Sequence, residues 1–251
     1  MRPNVELGLG LLSIGRNWGV HNSQPPLQHV AMQLLQDAHT LGIRCFDTAP
    51  AYGDSERLLG QFLANLTIEE RAQLVISTKM GEFWAGEGNS TRVCHDADEL
   101  CRSIDQSLRL LGRIDILQIH KASAETLRSP GIVTAITHAR NNGITSFGAS
   151  VSDIPSARLA MEIGLFDWLQ FPFSATNSQF SEIFEELADA SIRALINRPL
   201  AMGQLAAGSQ ITAAFSFILS SNLPAGSVIL TGTGSPLHLR ENFKAFAGAR
   251  R

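Results

Sequence analysis

The chain alternates between short apolar runs that end in a polar residue and longer stretches whose apolar residues recur at helical spacing. The runs are VELGLGLL (5–12), IRCFDT (43–48), LVISTK (74–79), IDILQIH (114–120), ITSFGAS (144–150), DWLQF (167–171), IRALIN (192–197) and SVILTG (227–232). Between them, Val30, Ala31, Leu34, Leu35, Ala38 and Leu41 precede Gly42, and Leu58, Leu59, Phe62 and Leu63 repeat the pattern. Leu100, Ile104, Leu108 and Leu111 precede Gly112, Ile132 to Ala139 precede Gly143, and Phe180, Ile183, Phe184 and Leu187 follow. Helical stripes that stop at glycine, with Pro155 and Pro236 at first-turn positions, read as helices. Apolar strands alternating with helices indicate a parallel sheet covered on both sides. About eight such units in roughly 250 residues are what a closed (β/α)₈ TIM barrel requires. A doubly wound open sheet is the competitor. No composition break divides the chain, so one α/β domain over residues 1–251 is expected.

The polar residues then fall into a pattern. Asp47, Lys79, His120, Ser150, Gln170, Asn197 and Thr231 all stand at the C-terminal ends of their runs. In a barrel that rim is where active sites form. The only tyrosine among 251 residues, Tyr52, lies just beyond Asp47, although 13 phenylalanines show that a core needs no phenol. The GLGLLSIG stretch does not make a dinucleotide fingerprint, because the third glycine position is Ser13 and no helix pattern opens there.

Other function classes are excluded by composition. The net charge is −3 with no basic stripe, which argues against nucleic acid. No apolar run reaches the length of a membrane helix, and the N-terminal MRPNVELGLG lacks the regions of a signal peptide. Cys45, Cys94 and Cys101 are odd in number and form no C-x-x-C pair, so no disulfide framework or metal site is expected and a reducing cytoplasm fits. Cys45 reads as a small buried hydrophobe.

If the rim gathers Asp47, Tyr52, Lys79 and His120, the ammonium should favour the phenolate and lower the tyrosine pKa, with Asp47 compensating the buried lysine. Tyr52 would then act as a general acid, and His120 would polarise a carbonyl oxygen. A hydride must come from elsewhere, which points to a nicotinamide.

The segment GIRCFDTAPAYGDSERLLG (42–60), followed in order by ISTK, DILQIHK, ITSFGAS, LQF and VILTGTGSPLHLREN, resembles the aldo-keto reductase family from Gly8 to about Phe246. The resemblance implies a (β/α)₈ barrel and NAD(P)H-dependent reduction of an aldehyde or ketone, or the reverse. It implies that Asp47, Tyr52, Lys79 and His120 are the catalytic tetrad, with Tyr52 as proton donor. It places Ser150 and Gln170 on the nicotinamide carboxamide, with Val151 where the family usually has Asn. It places Thr231, Gly232, Thr233, Ser235, His238, Glu241 and Asn242 on the adenosine phosphate and adenine. Basic residues the family often has near Gly232 and His238 are missing, leaving Arg240 as the nearest replacement. NADP(H) is expected over NAD(H), with no metal.

The connection 199–210 is short for the family, so an open pocket is expected, walled by Trp18, Phe83 and Trp84, in a monomer or small homo-oligomer. Phe173 is a candidate to stack on the nicotinamide, and Arg16 and Asn17 to touch cofactor. Glu56 reads as a structural acid at a helix start, and His21, His29, His95 and His138 as surface residues. Two other functions compete: a non-catalytic barrel that senses nicotinamide cofactor, and a Schiff-base aldolase using Lys79.

Overall fold

A computed structural model describes residues 4–18, 23–86 and 90–250. Among them ten strands form: β1 (Glu6–Gly10), β2 (Cys45–Asp47), β3 (Val75–Met80), β4 (Glu82–Trp84), β5 (Thr91–Val93), β6 (Ile116–Ile119), β7 (Ser146–Ser150), β8 (Trp168–Pro172), β9 (Arg193–Asn197) and β10 (Val228–Gly232). Eight of them close into a barrel in the order β1-β10-β9-β8-β7-β6-β3-β2, and all its pairings are parallel. Each apolar run read from the sequence becomes one barrel strand. The open doubly wound sheet is thereby excluded. β4 and β5 form a separate antiparallel hairpin that is not among the apolar runs of the sequence.

Two apolar clusters explain how the barrel is filled. The larger lies between strands and helices and takes Leu7, Leu9, Phe46, Ile76, Met80, Leu117, Ile119, Phe147, Leu169, Phe171 and Ile229. The smaller takes Cys45, Ile116, Trp168, Leu195, Val228 and Leu230, with Val75 against it. Residues of the two sets alternate along each strand that carries both, so the smaller is the interior layer and the larger the outer one. Continuing that alternation toward the C-terminal ends, the next interior positions are Asp47, Ser77, Lys79, Gln118, Ser150, Gln170 and Asn197. The barrel is apolar inside at its base and polar at its top, with the register pairing Asp47 with Ser77, Lys79 with Gln118, and Ser150 with Gln170.

Gly8 is required by this filling. A Cβ there would come within 2.7 Å of Val228 Cγ1 and 2.9 Å of Leu230 Cδ2. At the rim, Gly15 has the same kind of constraint, because an added Cβ would stand 1.7 Å from the backbone oxygen of Tyr52. The short helix Leu12–Gly15 thus lies directly on the turn that carries the tyrosine. No helix among the described residues is long and apolar enough to cross a membrane.

Candidate active site

The loop after β2 makes a single 3₁₀ turn, Pro50–Tyr52, before the helix Ser55–Ala64. That turn returns Tyr52 over the barrel mouth. Beneath it, Lys79 Nζ donates to Asp47 Oδ2 at 2.6 Å and to the Thr48 carbonyl at 3.1 Å, with the lysine side chain fully buried. The ammonium sits 4.8 Å from the Tyr52 ring centroid and hydrogen-bonds its hydroxyl. Asp47 Oδ1 accepts from Ser77 Oγ at 3.1 Å and from Gln118 Nε2 at 2.9 Å. The Asp47 carboxylate is thus fully engaged inside the barrel.

Electrostatics corrects one expectation. Burial raises the Tyr52 pKa more than Lys79 lowers it, and the net shift is upward, so the side chain rests as a phenol. For Lys79, burial is the largest single influence and pushes down, but Asp47 and Tyr52 together outweigh it and its pKa is raised. Lys79 is a held ammonium rather than a free amine.

His120 stands against Tyr52 with ring centroids 5.8 Å apart in an edge contact. Burial foremost, then Lys79, Lys121, His95 and Arg16, holds its pKa well below the usual histidine range, so it is neutral at pH 7. Its Nε2 lies 3.1 Å from Glu82 Oε2, whereas Nδ1 is buried without a partner. A lone pair facing a carboxylate would be repelled, so the single proton sits on Nε2. The sign of the resulting pH dependence follows. The unfolded state takes up a proton near the ordinary pKa of about 6.5 and the folded state does not, so stability present above that pH is lost as pH falls toward the folded value. We expect His120→Gln to lose about 1.4 kcal/mol less than wild type between pH 7 and 5.5 in urea titrations. Equal losses for the two proteins would contradict a neutral buried His120.

A cavity of about 1050 Å³ opens over these groups. Asp47, Tyr52 and His120 line it, as do Ser150, Gln170, Thr231, Gly232, Thr233, Ser235, His238, Glu241, Asn242 and Trp18. Gln170 Nε2 and Asn197 Oδ1 are buried there without hydrogen-bond partners, as polar groups awaiting a ligand would be. Ser235 caps the helix Pro236–Ala249, so the cavity's opposite end meets a helix N-terminus. Asn242 Nδ2 is spent on Thr231 Oγ1 at 2.8 Å, tying that helix to β10.

Several expected residues lie elsewhere. Phe83 and Trp84 do not line the cavity. They belong to the hairpin, whose alternation places Phe83 opposite Arg92, with the guanidinium 4.9 Å from its ring. Glu82 and Thr91 from the same hairpin face the site instead. Phe173 is in the core between Phe184 and Phe217 and cannot reach a ligand in the cavity. Arg240 is paired with Asp37 at 2.6 Å. The short connection after β9 is itself a wall, contributing Arg198, Pro199, Leu200, Met202, Gly203, Gln204 and Ala206. Arg16 is buried and lines the cavity, whereas Asn17 does not.

Glu56 is buried, accepts from Thr78 Oγ1 at 2.6 Å, and burial raises its pKa. His95 is half-buried, and its Nε2 meets the His120 carbonyl oxygen at 2.9 Å. His138 pairs with Asp105 at 2.7 Å, and His29 is exposed. His21 lies outside the described residues. Gln118, Ser77 and Glu82 escaped the sequence reading; the alternation along β6 and β3 would have flagged the first two.

Comparison with known proteins gives a consistent result. Residues 6–214 match the model of the Aldo/keto reductase family. The fold superposes on a protein from Pseudomonas aeruginosa described as an aldo-keto reductase, with TM-score 0.81 and 27% identity over 98% of this chain and 90% of that one. In sequence it is 27% identical to an NADH-specific methylglyoxal reductase of Escherichia coli (strain K12) over 79% of this chain and 64% of that protein. It is 34% identical to a D-arabinose 1-dehydrogenase of Saccharomyces cerevisiae over 47% of this chain and 35% of that protein. The chain thus spans less than two thirds of the length of these curated relatives.

Proposed function

The chain belongs to the aldo/keto reductase family, and from that premise and the rim geometry we propose that it is an NAD(P)H-dependent oxidoreductase interconverting an aldehyde or ketone and the corresponding alcohol. The observation that carries the reading is the buried relay Asp47–Lys79–Tyr52, ending at a phenol that shares one cavity wall with a neutral His120. In the forward direction Tyr52 gives its proton to the carbonyl oxygen, and Lys79 stabilises the phenolate that remains. Asp47 keeps the ammonium in place, and His120 orients and polarises the oxygen through Nε2–H. In reverse the phenolate is the base. A bound nicotinamide supplies or accepts the hydride. The unpartnered Gln170 Nε2 and the neighbouring Ser150 suit its carboxamide.

The aldolase reading is weakened because Lys79 is fully buried, charged, and turned to Asp47 rather than to the cavity. A pure sensor has no need of the relay.

For the cofactor we favour NAD(H), reversing the order expected from sequence. The nearest replacement for the missing phosphate anchor, Arg240, is held by Asp37, and the adenosine end of the cavity offers His238 and the Glu241 carboxylate. A 2′-phosphate there would face an acid without a guanidinium to neutralise it. Titrating tryptophan fluorescence with each reduced cofactor should give NADH a Kd about tenfold or more below that of NADPH, a difference of about 1.4 kcal/mol. Equal or tighter NADPH binding would refute the preference. Turnover of an aldehyde and ketone panel with the better cofactor tests the activity itself.

A further inference from the structure

We propose that Glu82 contacts substrate as a specificity residue, accepting a hydrogen bond from a hydroxyl on the carbon next to the reacting carbonyl, so that the site selects α-hydroxy carbonyl compounds. The inference rests on the reading of Tyr52 and His120 as the carbonyl-oxygen site.

Glu82 is buried at the start of the hairpin, where Gly81 adopts a φ of +100° that turns the chain out of β3 and over the barrel mouth. Its Oε1 accepts from Thr91 Oγ1 at 2.7 Å and lies 3.8 Å from Lys121 Nζ. Its Oε2 faces His120 Nε2 at 3.1 Å, on the cavity wall. A carboxylate has about four acceptor positions. Only Thr91 Oγ1 and His120 Nε2 lie within hydrogen-bond distance, one on each oxygen, so Oε2 retains an acceptor position.

The protein therefore presents a donor, Nε2–H, and an acceptor, Oε2, side by side at 3.1 Å. An α-hydroxy carbonyl presents the reverse pair, an acceptor and a donor whose oxygens lie about 2.8 Å apart when the groups are eclipsed, an ordinary hydrogen-bond spacing. Docking replaces the close Nε2–Oε2 approach within the protein by two hydrogen bonds to the substrate. A carbonyl compound lacking the hydroxyl takes the Nε2 proton and leaves a buried carboxylate oxygen unmatched, which is how sites built for a hydroxyl reject its analogues. A carboxylate on that carbon meets Glu82 as a like charge and is rejected too.

The test compares hydroxyacetone with methoxyacetone, which keeps the electron-withdrawing oxygen but cannot donate. Wild type should favour hydroxyacetone in kcat/KM by roughly 10- to 100-fold, less than the largest known rejections because Thr91 and Lys121 remain on the carboxylate. Glu82→Gln, whose amide can donate to the ether oxygen, should shrink the ratio to within about threefold. Thr91→Val, which removes one of the carboxylate's other donors, should instead widen the ratio, and serves if the first variant does not fold. Calorimetry with oxidised cofactor should likewise show tighter binding of propane-1,2-diol than of 1-methoxypropan-2-ol. Equal wild-type kcat/KM for both ketones overturns the role of Glu82 alone. No turnover of either ketone or either alcohol, with either cofactor, overturns the oxidoreductase reading beneath it.

Discussion

Tyr52→Phe is expected to lower kcat by about 10³-fold, within the range a positioned general acid contributes, while the Kd for the nicotinamide cofactor stays within about twofold. The substitution removes one hydroxyl, with its hydrogen bond to Lys79, and leaves the ring that makes the edge contact with His120. The chain has no second tyrosine to take over the proton transfer. Single-turnover measurements with saturating cofactor check the rate, and fluorescence titration checks binding. A variant that keeps more than a tenth of wild-type turnover would show that the proton comes from another group. The same residue offers an optical control. With one tyrosine in the sequence, the phenolate absorbance change belongs to Tyr52 alone. Its midpoint should lie above the ordinary value of about 10, because burial outweighs Lys79.

The barrel was readable because its physics is written in period. Most strands are apolar along their length and bring a polar residue to the C-terminal rim, so Asp47, Lys79 and His120 can be picked out before any coordinates. The hairpin was not readable. Its strands, Glu82–Trp84 and Thr91–Val93, hold three residues each, too short to set a period. Phe83 therefore looked like a pocket wall because it is large and follows β3, whereas alternation within the hairpin sends it to Arg92 and turns Glu82 inward. The upward shift of the Tyr52 pKa is hidden from the sequence for a related reason. A sequence gives the identity of a charged neighbour but not the depth of burial, and here burial is the larger influence. Arg240 illustrates the third kind of failure: its partner Asp37 is 203 residues away, and only the closed ring of helices brings them together.

Lys79→Met should cost about 3–5 kcal/mol of folding stability, the penalty for leaving one member of a buried ion pair alone. Ser77 and Gln118 would still donate to Asp47 Oδ1, but Oδ2 would face a thioether inside the barrel. Adding Asp47→Asn removes the stranded charge, and the double variant should regain most of that loss while remaining inactive. Urea denaturation of the two single variants and the double measures the coupling, and additive losses would mean that the pair is not the coupled unit the geometry implies. An alkaline titration supplies an independent sign. Because the folded pKa of Lys79 is raised, its contribution is complete below the unfolded value of about 10.4 and is lost as pH rises through the folded one. Wild type should therefore lose stability in strong alkali more steeply than Lys79→Met. Removing Lys79 also takes away the charge that lowers the Tyr52 pKa, so the tyrosine titration, read from phenolate absorbance in each protein, is subtracted before the two curves are compared.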